Sequence, residues 1–225
     1  MSEDGNRAER ALALLERCGV ATGGMSSEEA VRRADRIAEA AAAYSAQGAE
    51  AEAAVLDEHL AAEFELRDID ATMGTMVAEP YLNHVPAMTG GRDVAEVRRF
   101  YDDHFIPRWP ADTAAVPVSR TVGADQVVDE LVMGFAHDIE MDFMMPGVPP
   151  SGRPVRLPFA VVVGVEDGKI AHEHIYWDQA SALAQVGAIN PAGLPITGVE
   201  QAHKMLDRSL PPNALIPGWS PRETG

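Results

Sequence analysis

The sequence predicts an α+β fold in which helices cover one face of a curved, mostly antiparallel sheet. The first 64 residues are rich in Ala, Glu and Arg and contain few β-branched residues, which favours helices. From residue 116 onward, runs of β-branched residues alternate with turn signals, which favours strands. The chain has neither the strand–helix alternation nor the glycine-rich motifs of nucleotide-binding folds.

Three helices are expected before the sheet. A short helix covers about Asn6 to Cys18. Ser26 stands three residues before Glu29, which is typical of a capping box that opens a second helix extending to about Gln47. A third helix covers residues 49–64, and its apolar residues recur at helical spacing at Val55, Leu56, Leu60 and Phe64.

The middle of the chain is expected to mix short elements. These are a helix to about Met76 capped by Asp68 or Asp70, a strand at Tyr81–His84, a break at Gly90–Gly91, and a helix from Val94 to Phe105 capped by Asp93. Residues Val97, Tyr101 and Phe105 lie on the apolar face of that last helix.

The second half of the chain predicts the main sheet. Its strands are Val116–Val122, Val127–Met141, Val155–Val165 and Lys169–Trp177, separated by turns at 123–126, 146–153 and 166–168. Two helices follow, at Gln179–Val186 and at about Val199–Leu206.

Composition excludes several classes of function. The formal net charge is −17 and no Lys/Arg-rich run is present, so binding to nucleic acid or to an anionic membrane is not expected. The single cysteine, Cys18, forms no internal disulfide, and no Cys/His spacing resembles a structural zinc site. The acidic N-terminus and the lack of a long apolar run predict a cytoplasmic protein.

The last strand carries the most chemistry. Because strand side chains alternate, His172, His174, Tyr176 and Asp178 share one face. If that face lines a pocket, Asp178 is a candidate general acid–base, His174 stabilises an oxyanion, and His172 and Tyr176 bind substrate. The alternatives are a solvated outer face, or a metal pair formed by His172 and His174 with His137 or Asp178 as third ligand.

Other candidates lie on neighbouring elements. Met133, Phe135 and His137 share one face of the long strand, which suggests substrate contacts and a third catalytic residue at His137. The alternative for His137 is a core histidine whose ring nitrogens are satisfied. Further substrate-binding candidates are Asn83, His84 and Tyr101.

Several stretches together resemble SnoaL-like polyketide cyclases of the nuclear-transport-factor-2-like superfamily. They are the loop Met145–Val155, the Asp167-Gly-Lys-Ile170 turn, and the final polar strand with its following helix to Gly187. The stretches Asn83–Pro86, Met88–Gly91, His104–Pro107 and His172–Ser181 resemble a subgroup often associated with, or fused to, dienelactone hydrolase. The resemblance covers roughly residues 50–210.

The resemblance implies a cone-shaped α+β barrel at residues 48–188, preceded by a helical extension at 1–47 and followed by a Pro-rich tail at 189–225. It also implies a homodimer. The sequence has no cofactor motif, so no cofactor is expected, and the spacing of His172 and His174 is too common a pattern to predict a metal. In the family a carboxylate near the end of the last strand acts as acid–base, and Asp178 matches that position.

Two functional hypotheses follow. The first is a cofactor-independent acid–base enzyme, of cyclase, isomerase or lyase type, acting on a small hydrophobic carbonyl or epoxide compound. The second is a non-catalytic domain that binds a small hydrophobic ligand or a partner with the same pocket.

Overall fold

The computed structural model describes residues 3–17, 22–36, 51–123 and 125–219. The N-terminal part contains helix α1 (Glu3–Arg17) and a second helix, α2, described over residues 27–36. The backbone N–H of Glu29 donates to Ser26 Oγ at 3.2 Å, which confirms the predicted N-cap. The predicted continuation of this helix to Gln47 lies outside the described residues.

Six strands form one sheet in the order β2-β1-β6-β5-β4-β3. The strands are β1 (Met76–His84), β2 (Thr89–Gly91), β3 (Ala114–Val122), β4 (Gln126–Ala136), β5 (Pro154–Glu166) and β6 (Lys169–Trp177). All neighbours are antiparallel except β1 and β6, which run parallel. The predicted mostly antiparallel α+β architecture is therefore confirmed.

Helices cover one face of this sheet, the inner face. They are α3 (Ala51–Leu60) with a π-helical turn at Ala61–Leu66, α4 (Ile69–Gly74), and α5 (Val94–Phe100) with a π-helical turn at Tyr101–Phe105 and a 3₁₀ turn at Ile106–Arg108. Helices α6 (Gln179–Val186) and α7 (Glu200–Leu206) follow the sheet.

Capping side chains fix where three of the helices begin. Asp68 accepts from the N–H of Ala71 at 3.0 Å, so Asp68 rather than Asp70 caps α4. Asp93 caps α5 as predicted, and Asp178 caps α6 by accepting from the N–H of Ser181. A carboxylate at a helix N-terminus satisfies N–H groups that have no partner within the helix.

Three predicted boundaries are wrong. β4 ends at Ala136 rather than Met141, because the carbonyl of His137 turns to accept from the N–H groups of Ser151 and Gly152. β1 begins at Met76 rather than Tyr81, and its pairing with β6 shifts between these two residues. Gly90 and Gly91 do not break the chain but pair with β1 as part of β2.

Gly91 is the point of closest approach between β2 and α5. A Cβ at Gly91 would stand 2.7 Å from the carbonyl carbon of Glu96 and 2.8 Å from Val97 Cα, so only glycine fits there. At Gly74, by contrast, a Cβ would have no other atom within 4 Å, so this position at the end of α4 is a matched control.

We expect Gly91→Ala to lower the free energy of unfolding by about 2 kcal/mol or more, because helix and strand must separate to admit the methyl group. Gly74→Ala should change it by less than about 1 kcal/mol. Urea denaturation of both variants measures the difference. Equal stability of the two would show that α5 moves freely away from β2.

Candidate functional site

A cavity of about 460 Å³ lies between the C-terminal end of α3 and the inner face of the sheet. Most of its wall is apolar, and strands β1, β3, β4, β5 and β6 all contribute to it. The apolar lining residues include Leu60, Phe64, Leu82, Phe105, Trp109, Leu131, Met133, Phe143, Phe159, Val161, Ile175 and Trp177. Such a wall favours a small hydrophobic ligand.

His84 lies in the middle of the aromatic part of this wall. Its ring centroid is 5.3 to 5.6 Å from the rings of Phe100, Phe105, Phe143 and Trp177. Burial lowers the pKa of His84 to about 4, so the ring is neutral at neutral pH.

Thr89 fixes the tautomer of His84. The Thr89 hydroxyl donates to the carbonyl oxygen of Phe143 at 2.5 Å, so its oxygen is free to accept. His84 Nδ1 lies 3.3 Å from that oxygen and therefore carries the proton. The lone pair of the neutral ring is then on Nε2.

A cluster of ionisable groups is buried at one part of the wall. His59 Nε2 lies 3.1 Å from Glu63 Oε1 and 3.4 Å from Glu173 Oε1, and all three residues are at least 95% buried. The hydroxyl of Tyr101 donates to Glu173 Oε2 at 2.8 Å. Glu63, Tyr101 and Glu173 line the cavity directly.

The network around His59 supplies both of its ring protons with acceptors. Thr75 Oγ1 donates to the carbonyl of Thr72 at 2.6 Å, so it accepts from His59 Nδ1, which lies 2.6 Å away. Burial alone would lower the pKa of His59, but the charges of Glu63 and Glu173 outweigh it and raise the pKa to about 10. His59 is therefore an imidazolium at neutral pH.

The two carboxyl groups differ in pKa. Burial raises the pKa of Glu63 above its usual range. Burial also opposes ionisation of Glu173, yet the charge and hydrogen bond of His59 outweigh it and hold the pKa of Glu173 below its usual range. The two pKa shifts have opposite directions, so Glu63 is the weaker acid and Glu173 the stronger one, with the imidazolium of His59 between them.

Local structure explains why these side chains meet. His59 and Glu63 are four residues apart and so lie on one face of the helix. Glu63 and Tyr101 both belong to π-helical turns, at the ends of α3 and α5. Such turns are rare and often occur at functional sites. Glu173 alternates with Ile175 and Trp177 on β6, and all three line the cavity.

A second polar group lines the cavity on β4 and α3. The guanidinium of Arg120, fully buried, binds both oxygens of Asp129 at 2.7 and 2.8 Å. It also binds Asp57 Oδ1 at 2.7 Å. Asp57 and Asp129 line the cavity, whereas Arg120 lies behind them. Asp57, Asp129 and Arg120 together form the Arg120 group, which has a formal charge of −1.

The buried cluster also has the ligand types of a metal site, which an ion could occupy only by displacing the proton on His59 Nε2. His59, Glu63 and Glu173 each offer one ligand atom, and these atoms lie within 4.8 Å of one another. Within the described ranges no other group of three such residues is this close. The predicted alternative of a metal pair at His172 and His174 thus has no third ligand of these types in the described part of the chain.

A family comparison matches the SnoaL-like domain at residues 56–173, about half of the chain. The chain belongs to the SnoaL-like domain family. The matched segment begins three residues before His59 and ends at Glu173, so it spans the whole buried cluster. A comparison with curated proteins gave no match. The resemblance to a subgroup linked with dienelactone hydrolase stays a prediction.

Three solved structures are similar to this chain. A putative polyketide cyclase from Acidithiobacillus ferrooxidans is 15% identical with a TM-score of 0.50, over 63% of this chain and 98% of that chain. A putative SnoaL-like polyketide cyclase from Jannaschia sp. CCS1 is 19% identical with a TM-score of 0.47, over 61% and 94%. A hypothetical protein with a ketosteroid isomerase-like fold from Catenulispora acidiphila, in complex with trimethylamine, is 16% identical with a TM-score of 0.46, over 59% and 92%.

At this level of identity these likenesses concern the fold alone. The likeness at a TM-score of 0.50, together with the six-stranded sheet, confirms the predicted α+β fold with a mostly antiparallel sheet. In the described part of this SnoaL-like chain, no helix is long and apolar enough to cross a membrane.

Three of the predicted substrate-binding residues line the cavity of this SnoaL-like domain. They are His84, Tyr101 and Met133. Each of the three lies on the apolar side of its helix or strand. In the structure that side faces the cavity.

The predicted orientation of β6 is wrong. Glu173, Ile175 and Trp177 face the cavity, so His172, His174 and Tyr176 lie on the opposite, outer face of the sheet. The rings of His172 and His174 are 4.9 Å apart, and that of His174 is 5.7 Å from Tyr81. The physical reason is that Ile175 and Trp177 make their side of β6 the more apolar one.

Asp178 does not lie in the cavity either. It is exposed, accepts from the N–H of Ser181 at 3.1 Å and from the amide of Gln201 at 3.1 Å, and begins α6. Its role in this structure is that of a helix cap.

The remaining predicted residues lie in the core or on the outer face. His137 is fully buried with Nδ1 3.2 Å from Ser151 Oγ, and its carbonyl holds the loop that follows β4. Phe135 packs edge-on against Trp109 at 5.8 Å. Asn83 lies next to His174 in the β1–β6 pairing, so it belongs to the outer face.

Sequence reasoning missed His59, Glu63 and Glu173. Two signals are present in the chain. His59 and Glu63 lie one turn apart on a helix whose neighbouring residues Leu56 and Leu60 are apolar, and Glu173 alternates with apolar residues on β6. A buried face with isolated ionisable residues indicates a site more strongly than a face that is polar throughout.

The low pKa of His84 predicts acid sensitivity. The unfolded chain takes up this proton near pH 6.5, whereas the folded chain resists it until about pH 4. Protonation of His84 therefore favours the unfolded chain between these two pH values. The free energy of unfolding keeps its full value above about pH 6.5 and is lower by roughly 3 kcal/mol once the pH has fallen through 4.

His84→Phe keeps an aromatic ring that cannot be protonated, so its free energy of unfolding should fall less steeply between neutral pH and pH 4. Urea denaturation at a series of pH values compares the variant with the wild type. Parallel curves would show that the pKa of His84 is the same in the folded and unfolded chain.

Proposed function

We propose that this protein is an enzyme that transfers protons on a small hydrophobic carbonyl or epoxide compound, of isomerase, cyclase or lyase type. The observation that supports this is a pair of buried carboxyl groups with opposite pKa shifts, Glu63 and Glu173, at the wall of an apolar cavity. Environments that drive two acids apart in pKa prepare one as proton donor and the other as proton acceptor.

The proposed step begins at a C–H bond next to the carbonyl of the substrate. Glu173 takes this proton, and the electron pair of the C–H bond moves toward the carbonyl oxygen. Glu63 gives its proton to that oxygen, and an enol is formed. Return of a proton to a different carbon completes an isomerisation, and attack of the enol carbon on a second carbonyl completes a cyclisation.

His59 and Tyr101 are positioning residues in this proposal. The imidazolium of His59 lies between the two carboxyl groups and keeps Glu173 ionised. Tyr101 donates to Oε2 of Glu173 and so orients it. The apolar wall excludes water, which strengthens the interactions of these charges with the reacting atoms.

Exchange of hydrogen for deuterium at carbon tests the proposal without knowledge of the substrate. A panel of aryl and cyclic ketones, such as 1-tetralone and 2-indanone, is incubated with the protein in heavy water and followed by NMR. We expect the wild type to accelerate exchange for at least one ketone, and Glu173→Gln and Glu63→Gln to lower that acceleration by about 100-fold or more.

The Gln variants keep the shape of the side chains, and Gln at position 63 resembles the protonated form of Glu63. Near-UV circular dichroism verifies that both variants are folded. Glu79→Gln, an exposed position on β1, is the matched control and should exchange at the wild-type rate. Equal exchange in all four proteins would refute the assignment, and ketone binding without any exchange would favour a non-catalytic binding domain.

A further inference from the structure

The cavity has an unusual combination of aromatic rings and carboxylates. Seven of the 13 aromatic residues of the chain line it: Phe64, Tyr101, Phe105, Trp109, Phe143, Phe159 and Trp177. Five carboxyl side chains line it as well: Asp57, Glu63, Glu65, Asp129 and Glu173. Among the described residues that form the wall, none is a lysine or an arginine.

Each of these features favours a positive charge on the ligand. Aromatic faces attract cations, and the attraction is strongest where water is excluded. A wall that carries carboxylates and presents no basic side chain repels anions and attracts cations. An uncharged ligand would bind the apolar surface but would not offset the negative potential of the wall.

Part of the excess negative charge of the wall is located at the Arg120 group, which consists of Asp57, Arg120 and Asp129. Arg120 balances only one of the two carboxylates that it binds, and its guanidinium is fully buried behind them. Asp57 is about half exposed and lines the cavity. At the buried cluster, by contrast, His59 already provides a cation for Glu173.

The two polar groups are separated along the sheet. Asp129 pairs with Val161 on β5, Val161 pairs with Ile175 on β6, and Glu173 is two residues away from Ile175. Strand spacing and rise place the Cα atoms of Asp129 and Glu173 about 12 Å apart. A ligand can therefore have one end at Glu63 and Glu173 and the other at Asp57 and Asp129.

We propose that the ligand of this cavity is a hydrophobic compound that carries a protonated amine, bound with its positive charge toward Asp57 and Asp129 and its apolar body among the aromatic rings. This inference rests on the proposed function, because it names the class of substrate for the same cavity. The reacting group lies at Glu63 and Glu173, at the other end of the ligand.

A charge series on one scaffold tests this inference. 4-Phenylbutylamine, 4-phenylbutan-1-ol and 4-phenylbutanoate share their apolar part and differ in charge at neutral pH. Two of the three tryptophans, Trp109 and Trp177, line the cavity, so quenching of tryptophan fluorescence reports binding. We expect the amine to bind about tenfold more tightly than the alcohol, and the carboxylate to bind more weakly than the alcohol.

Asp57→Asn removes the excess charge of the Arg120 group while Arg120 keeps its paired contact with Asp129. This variant should lose most of the preference for the amine and bind the alcohol as the wild type does. Glu79→Gln changes the net charge by the same amount on exposed β1 and should alter none of the three affinities. This control separates the local charge from the general attraction of a chain with net charge −17.

Two results would overturn the inference. If the alcohol binds as tightly as the amine, or if Glu79→Gln acts like Asp57→Asn, then the cavity does not select a cation, and the deuterium exchange of ketones remains an independent test of the proton-transfer function. If no member of the series quenches the fluorescence, the cavity does not bind hydrophobic ligands of this size, which contradicts the inference and the proposed function together.

Discussion

Two acidic side chains, Glu63 and Glu173, lie at the wall of an apolar cavity, and His59 between them makes this possible. Burial of two ionised carboxylates within a few ångströms of each other would be strongly unfavourable. The positive charge of His59 offsets one carboxylate, and the raised pKa of Glu63 makes protonation of the other easier. Thr75 and Tyr101 then satisfy the remaining polar atoms of His59 and Glu173, so the cluster is held by hydrogen bonds as well as by charge.

The rest of the inner face is arranged around this cluster. The helix that carries His59 must pack against β6, which carries Glu173, and α5 must bring Tyr101 against both. Gly91 allows α5 to approach β2 closely enough for this, since its missing side chain leaves room for the backbone of Glu96 and Val97. The glycine and the cluster are therefore parts of one packing arrangement.

Most of the fold could be predicted from the sequence because its signals are local. β6 and α6 have the predicted bounds, and the predicted caps Ser26 and Asp93 are confirmed. The boundaries that were wrong depend on long-range contacts, such as the hydrogen bonds from Ser151 and Gly152 to His137, which no local pattern contains.

The candidate site is harder to predict, because the reactive side chains of β6 suggest one face for the cavity whereas its hydrophobicity favours the other. Histidines, a tyrosine and an aspartate together suggested a pocket, yet a strand face on which nearly every residue is polar is the face that water can solvate. A catalytic group in a cavity is more often a single ionisable residue among apolar ones, as Glu173 is between Ala171 and Ile175. Its partners come from a helix more than 100 residues earlier, and only the tertiary structure brings them together.

The charges of the cavity connect the two proposals. Proton transfer at Glu63 and Glu173 requires the cluster to keep one mobile proton, and a cation bound next to these carboxylates would favour its loss. The Arg120 group, about 12 Å away along the sheet, offers a separate place for a positive charge. A ligand with its amine at Asp57 and Asp129 would therefore leave the proton balance of His59, Glu63 and Glu173 undisturbed, while it orients the reacting carbon toward Glu173.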